Sequence, residues 1–211
     1  MTQPLRIILA DDHEVIRQGI RALFATSPDV VVVDDVGDVE TAVARVRDLA
    51  PDVLLIDLSM PKAGGLAAIR QLANEASETA VVVLTRYRDE AFVREALAAG
   101  ASGYVLKQSP FSEVQAAIAH AARGESYIDS RLASVFAHRR TFEVPQAISN
   151  REQQVLRAAA LGDSNKEIAN GLGIAVKTVE VHKMQAMRKL GLRDRRALVR
   201  YATLQGWLQD A

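Results

Sequence analysis

Asp11-Asp12, Asp57, Thr85 and Lys107 stand out in this 211-residue chain for what they could do together. They fall at the carboxyl ends of short aliphatic runs at residues 5–10 (LRIILA), 53–57 (VLLID), 80–85 (AVVVLT) and 103–106 (GYVL). Three carboxylates in one crevice repel one another, and a hard divalent cation relieves the repulsion. Mg²⁺ favours a few carboxylates together with water and phosphate oxygens. A metal-bridged carboxylate facing an ammonium and a hydroxyl would accept a phosphoryl group. Its attacking oxygen would come from Asp57, with Mg²⁺ and Lys107 neutralising charge on the equatorial phosphoryl oxygens. Each residue alone has a plainer reading. An Asp after a strand caps the following helix, Thr85 is a strand residue, and Lys107 is a solvated lysine. Position gives them joint weight, because the polar residues fall at the same end of separate runs.

That convergence needs a particular frame. The four runs, with a fifth at 30–34 (VVVVD), mostly lack apolar/polar alternation, as strands buried on both faces of a parallel sheet do. Between them apolar residues recur at helical spacing: Val15, Ile16, Ile20 and Leu23; Val39, Val43 and Val46; Leu66, Ile69 and Leu72; Phe92, Val93 and Leu97; Val114 and Ile118. Five alternations of strand and helix with right-handed crossovers predict an α/β, five-stranded doubly wound parallel sheet over roughly residues 4–124. In such sheets the working groups sit beyond the carboxyl strand ends, where the strand order reverses.

Residues 125–148 lose this rhythm and read as a linker. Residues 132–136 suggest one more short helical stretch, and His138-Arg139-Arg140-Thr141 and Pro145 read as exposed and interrupted. From Ser149 the pattern is helical only. Ser149 with Glu152 has the form of a capping box, opening a helix that ends near Gly162. A short helix at 165–172, a break at Gly173-Ile174-Ala175, a longer helix at 176–190 and a fourth from about 194 to 207 make a helix-turn-helix arrangement. The predicted domains are 1–124, 125–148 (linker) and 149–211.

Composition agrees with a folded chain, 49% hydrophobic and 25% charged. Absence of cysteine excludes disulfide frameworks, Cys-based zinc sites and thiol nucleophiles, and fits a cytoplasmic protein. No apolar run suggests a membrane span, and the N-terminus lacks a secretory pattern. The net charge of zero hides a division. Residues 1–148 carry 15 Lys+Arg against 20 Asp+Glu, whereas residues 149–211 carry 11 against 6. An acidic module joined to one that meets a polyanion would have this asymmetry.

Asp11-Asp12, Asp57-Leu58-Ser59-Met60-Pro61 with Gly65, Leu84-Thr85 and Gly103-Tyr104-Val105-Leu106-Lys107 resemble, in order and spacing, the receiver domain of two-component response regulators. Residues 149–192 resemble the LuxR-type helix-turn-helix through Ser164-Asn165-Lys166-Glu167-Ile168-Ala169, Lys177-Thr178-Val179-Glu180-Val181-His182 and Arg188-Lys189-Leu190-Gly191. Both modules in this order are similar to the NarL/FixJ family. The resemblance implies Asp57 as phosphoacceptor for a sensor histidine kinase. It implies Mg²⁺ on Asp11, Asp12, Asp57 and the backbone carbonyl of Ser59, and Lys107 against the phosphoryl group. Thr85 and Tyr104 would be the switch pair. Arg86, and Lys62-Ala63-Gly64 before Gly65, depart from the usual pattern; Arg86 and Tyr87 are expected to tune phosphoryl lifetime.

On the third helix of the second module, Lys177, Glu180, Val181, Met184, Gln185 and Arg188 recur on one side, away from Val179, His182 and Leu190. By resemblance, double-stranded DNA would meet Lys166, Lys177, Thr178, Val181, Lys183, Met184, Arg188 and Lys189. Val181 and its neighbours would reach base edges, and Lys177, Lys183, Arg188 and Lys189 would lie near phosphates. His182 reads as a packed histidine, because no partner ligand stands at metal-binding spacing. Glu180 would repel phosphate or accept from a cytosine amine. One short helix-turn-helix neutralises few phosphates, so a homodimer, formed on phosphorylation or on DNA, is expected. Two other readings stay open. One is a DNA-binding regulator whose receiver is a phosphorylation-independent dimerisation scaffold. The other is an aspartate-based Mg²⁺ phosphatase, against which Asp57 followed by Leu58-Ser59, rather than Asp-x-Asp, argues.

Overall fold

The computed structural model describes residues 3–61, 64–75, 77–132 and 148–208. Two compact units result. The first is built on a sheet of strands β1 (Leu5–Ala10), β2 (Val30–Val36), β3 (Val53–Ile56), β4 (Ala80–Thr85), β5 (Gly103–Leu106) and β6 (Tyr127–Ile128). All pairs are parallel, in the order β2-β1-β3-β4-β5-β6. Helices α1 (Glu14–Phe24), α2 (Val39–Leu49), α3 (Gly64–Asn74), α4 (Glu90–Ala98) and α5 (Phe111–Ala121) make the crossovers.

The aliphatic runs become strands because both faces of the central sheet are covered. Every residue of β3 and β5 is buried. On one face Ile7, Leu9, Val53, Leu55, Val82, Leu84 and Val105 pack with Phe24 of α1 and with Val114, Ala117, Ile118 and Ala121 of α5. Phe24 and Phe111 meet edge to face with ring centroids 4.7 Å apart. Strand β2 differs in being an edge: it runs two residues beyond the expected Asp34 and leaves Val31 41% exposed.

The sheet has six strands where five were expected. Tyr127–Ile128, read as the start of a linker, pair with Gly103 and Tyr104 of β5, and a 3₁₀ turn follows at Ser130–Leu132. Two residues carry no periodicity, so only pairing to an existing edge reveals them as a strand. The expected short helix over 132–136 falls almost wholly outside the described residues, as do 133–147 of the linker and Lys62-Ala63.

The order places β1 between β2 and β3, so the chain reverses direction across the sheet at β1 and opens a crevice at the carboxyl ends of β1 and β3. The Asp57 amide donates to the Ala10 carbonyl at 2.8 Å and the Lys107 amide to the Thr85 carbonyl at 2.8 Å. These bonds carry the ladder one step past the strands and level the functional residues. Gly65 closes the floor of the β3–α3 loop. A Cβ there would stand 2.4 Å from the Asp57 carbonyl oxygen and 2.9 Å from Leu58 Cα.

The second unit holds α6 (Asn150–Leu161), α7 (Asn165–Leu172), α8 (Val176–Lys189) and α9 (Arg195–Leu204). Ser149 and Glu152 form the expected capping box, and Ser164 with Glu167 forms a second. Gly173 ends α7 in the left-handed region at φ 64°, where glycine carries no Cβ penalty. Val155, Leu156, Ile168, Ala169, Val179, Ala186 and Leu198 are buried among these helices.

Substituting Gly65→Ala forces a methyl group into the backbone that carries Asp57. A loss of roughly 1–3 kcal/mol is expected, as for overpacking at a site with no room to relax, measured as the shift in urea midpoint. An unchanged midpoint would contradict the packing described.

Candidate functional site

At the carboxyl edge of the sheet, β1 delivers Asp11, β3 delivers Asp57 and β5 delivers Lys107. Both carboxylates are buried, Asp57 1% and Asp11 4% exposed. Lys107 Nζ donates to Asp57 Oδ2 at 2.8 Å and pairs with Asp11 Oδ2 at 2.5 Å. One ammonium therefore offsets two carboxylates that sequence alone separates by 46 positions. Asp57 also accepts from Ser59, through its amide at 3.2 Å and its hydroxyl at 2.5 Å. Asp12 stands at the exposed mouth of the crevice.

His13 joins this group, which the sequence reading did not anticipate. Its Nδ1 lies 3.1 Å from Asp11 Oδ1 and 2.8 Å from Asp12 Oδ1, and its amide donates to Asp11 Oδ1 at 2.9 Å. Ligand atoms of Asp11, Asp12, His13 and Asp57 all lie within 4.8 Å of one another. Asp11 Oδ2 is buried and accepts no well-aligned hydrogen bond, although Lys107 meets its charge. A carboxylate-rich set with an acceptor to spare is what a hard cation uses, and an imidazole beside it is the less favoured ligand for Mg²⁺. Arg17 of α1 is a second unanticipated participant. Its Nη1 donates to the Asp11 carbonyl at 2.6 Å while its Nε bonds Asp35 Oδ1 at 3.2 Å, tying the β1–α1 turn to β2. No local pattern marks Arg17; only the fold brings it to Asp11.

Thr85 and Tyr104 are both fully buried. Neighbouring strands carry them, Val83 opposite Tyr104 and Thr85 opposite Leu106. Tyr87 links them through its backbone: its amide donates to Thr85 Oγ1 at 3.5 Å, and its carbonyl accepts from the Tyr104 hydroxyl at 3.0 Å. The tyrosine ring is thus wholly interior, with its polar tip satisfied at the β4–α4 loop. Arg86 is exposed.

In the helical unit, α8 presents Lys177, Glu180, Val181, Met184 and Arg188 to solvent, with Met184 63% and Val181 37% exposed. Lys166 on α7 is exposed, whereas Thr178, Lys183 and Gln185 are half-buried. Lys177 Nζ contacts Glu180 Oε2 at 3.2 Å. Lys189 departs from the expected phosphate-facing set. Its Nζ donates to Glu152 Oε2 at 2.7 Å, and the Glu152 side chain is 3% exposed. The ammonium is thus paired with a buried carboxylate that also serves the capping box, accepting from the Ser149 amide at 2.7 Å. Burial works to raise the Glu152 pKa, but the bonds from Lys189 and Ser149 outweigh it and hold the carboxyl below the ordinary glutamate value. His182 is half-buried and joins no metal-binding group among the described residues.

Comparison with known proteins matches two stretches of the chain. Residues 7–119 match the response regulator receiver domain, and residues 146–202 match the bacterial regulatory proteins of the luxR family. The chain is 37% identical over 209 residues to the oxygen regulatory protein NreC of Staphylococcus aureus, covering 94% of this chain and 96% of that one. RcsB from Salmonella enterica serovar Typhimurium, solved on promoter P1flhDC with the phosphomimetic BeF₃⁻, is 28% identical with a TM-score of 0.81 over 95% of this chain and 98% of that one. The response regulator ChrA of a heme-sensing two-component system is 31% identical with a TM-score of 0.56, covering 98% of this chain and all of that one. The chain belongs to the NarL/FixJ family of response regulators, which join a receiver domain to a LuxR-type DNA-binding domain. It is a DNA-binding regulator of this family and not a phosphatase. No helix among the described residues is long and apolar enough to cross a membrane.

The depressed Glu152 pKa fixes the sign of a pH effect. Its stabilisation is complete above the unfolded-state value of about 4.3 and fades as pH falls through the lower folded-state value. In thermal melts the gap between the native chain and Glu152→Gln is therefore expected to narrow as pH falls from about 6 to about 3. Lys189→Ala, which strands a buried acceptor, is expected to lose roughly 1–3 kcal/mol of stability; a change in DNA affinity at unaltered stability would return Lys189 to the exposed face.

Proposed function

We propose that this response regulator takes a phosphoryl group on Asp57 from a sensor histidine kinase and thereby shifts toward a dimer that binds promoter DNA. The observation that carries this reading is the contact of Lys107 Nζ with both Asp57 and Asp11 beside the Asp12 carboxylate. Asp57 Oδ would attack phosphorus. As that O–P bond forms, the bond from phosphorus to the donor histidine nitrogen breaks, and the electron pair leaves with the imidazole. Lys107 would move its hydrogen bond from the Asp57 carboxylate to a phosphoryl oxygen, holding charge in place during transfer. Asp11, Asp12, Asp57 and the Ser59 carbonyl fit Mg²⁺ as an oxygen-rich set, and the ion would supply further charge neutralisation at the phosphoryl oxygens.

Thr85 would then turn its hydroxyl to a phosphoryl oxygen. Its bond to the Tyr87 amide and the bond of Tyr104 to the Tyr87 carbonyl support a shared response of these three residues. The new negative charge would bias this two-state element and, through it, self-association. The receiver would include β6 and its 3₁₀ turn as far as Leu132, and residues 149–211 would form the DNA-binding domain. Two copies of α8 would enter successive major grooves. Lys166, Lys177, Lys183 and Arg188 would position the helix on phosphates, while Thr178, Val181 and Met184 approach base edges. RcsB has been solved as two dimers bound to two parallel DNAs, which supports the dimeric reading.

Incubation with acetyl phosphate and Mg²⁺ is expected to add one phosphoryl group, on Asp57 by peptide mass spectrometry, and to raise the mass in solution to that of a dimer. No adduct at Asp57, with DNA binding and dimerisation intact, would favour the phosphorylation-independent scaffold. For DNA, Arg188→Ala is expected to weaken binding across sequences and to reduce the salt slope by about one. Val181→Ala should instead relax sequence preference; equal losses on all sequences would contradict its place at base edges.

A further inference from the structure

Asp129 lies in the stretch that sequence reads as linker, yet it is 1% exposed. Its Oδ2 accepts from the Leu106 amide at 2.9 Å and from the Ser109 hydroxyl, and its Oδ1 accepts from the Arg131 amide at 2.9 Å. Three donors thus converge on one buried carboxyl group.

The place of these bonds matters more than their number. Strand β6 stops at Ile128, opposite Tyr104, and the Asp129 amide donates to the Tyr104 carbonyl at 2.9 Å. The next donor on that side of β5 is the Leu106 amide, and the backbone has by then turned into the 3₁₀ segment. The Asp129 side chain takes the place of the missing carbonyl and extends the ladder by one rung. On the other side of β5, the Lys107 amide is held by the Thr85 carbonyl at 2.8 Å. The turn that follows closes through the Ser109 amide on the Leu106 carbonyl at 2.9 Å, and Arg131 Nη1 clasps the Gln108 carbonyl at 2.6 Å. Glu113 of α5 anchors the same segment by accepting from the Tyr127 hydroxyl at 2.7 Å and the Ser130 hydroxyl at 2.9 Å. Burial first, then that bond to Glu113, pushes the Tyr127 pKa up to about 12, so the phenol stays a donor.

We propose that Asp129 is a positioning residue for Lys107: by bonding the residue before it and the residue two after it, Asp129 fixes the β5–α5 turn so that the ammonium projects between Asp57 and Asp11. A long, flexible side chain finds its partners only if its backbone is held, and a small misplacement of a charge-stabilising group is costly in rate. The inference rests on the phosphoacceptor reading of Asp57 and adds to it a residue outside the acidic crevice.

A double-mutant cycle on the full chain tests it. The rate of acetyl phosphate-driven labelling of Asp57 with Mg²⁺ is measured for the native chain, Asp129→Ala, Asp129→Asn, Lys107→Ala and Lys107→Ala/Asp129→Ala. Labelling is run below the melting transition of every variant. Asp129→Ala is expected to slow labelling about tenfold, and Asp129→Asn, whose amide oxygen can still accept from Leu106 and Ser109, to recover most of the rate. In the Lys107→Ala background, removal of Asp129 should add less than about twofold, because the two substitutions disable one device. Hydrogen exchange at the Leu106 amide should rise in Asp129→Ala and not in Asp129→Asn. Should Asp129→Ala fail to fold, Ser109→Ala is expected to slow labelling in the native background and to have no effect in Lys107→Ala. Full-rate labelling of folded Asp129→Ala, or effects that multiply in the double variant, would overturn this inference while leaving Asp57 as acceptor. Failure of the native chain to label on Asp57 would overturn both.

Discussion

The ammonium of Lys107, set between the buried carboxylates of Asp57 and Asp11, is the interaction on which the receiver unit depends. Two carboxylates withdrawn from water at short range repel, and each loses hydration as well. Without a cation in the gap their mutual repulsion would go unopposed. Lys107 provides that cation from a third strand. That contact is possible because β1, β3, β4 and β5 are neighbours in that order with their carboxyl ends level, and the sheet adds one bond beyond the strand at Asp57 and another at Lys107.

Around this gap the structure adds supports of two kinds. One set fixes height: the Arg17 guanidinium holds the Asp11 carbonyl, the Ser59 amide and hydroxyl hold the Asp57 carboxylate, and Gly65 lets α3 approach the Asp57 carbonyl where a methyl would collide. Buried side chains link neighbouring strands. Thr85 and Tyr104 bond the amide and the carbonyl of one residue, Tyr87, so a single backbone residue joins the two side chains. The helical unit repeats the same economy in simpler form. Glu152 caps α6 and also holds Lys189 of α8, so one buried carboxylate both starts a helix and fastens the helix that faces outward.

Much of this was legible in the sequence wherever the signal was local. Unbroken aliphatic runs marked the central strands because both their faces are covered. Ser149 with Glu152 marked a helix start because the capping box lies within four residues, and the exposed side of α8 followed from 3.6-residue spacing. Asp11, Asp57, Thr85 and Lys107 were recognisable because each ends a strand. Features made by tertiary pairing were not legible. Strand β6 is two residues long and exists only because β5 offers an edge. Asp129 reads as a loop residue until β6 stops short of Leu106. Lys189 looks like any basic residue on a DNA-facing helix until Glu152, 37 positions earlier, is folded against it. Arg17 carries no local signature, whereas His13 is marked only by standing next to Asp11-Asp12.

The direct test of the central claim is a crystal structure of the chain grown with Mg²⁺ and beryllofluoride, a stable mimic of the phosphoryl group. The account predicts beryllium on an Asp57 oxygen and Lys107 Nζ on a fluorine. It also predicts an ion at about 2.1 Å from oxygens of Asp11, Asp12, Asp57 and Ser59. Beryllofluoride on another residue, or Lys107 turned away from an otherwise filled crevice, would contradict it.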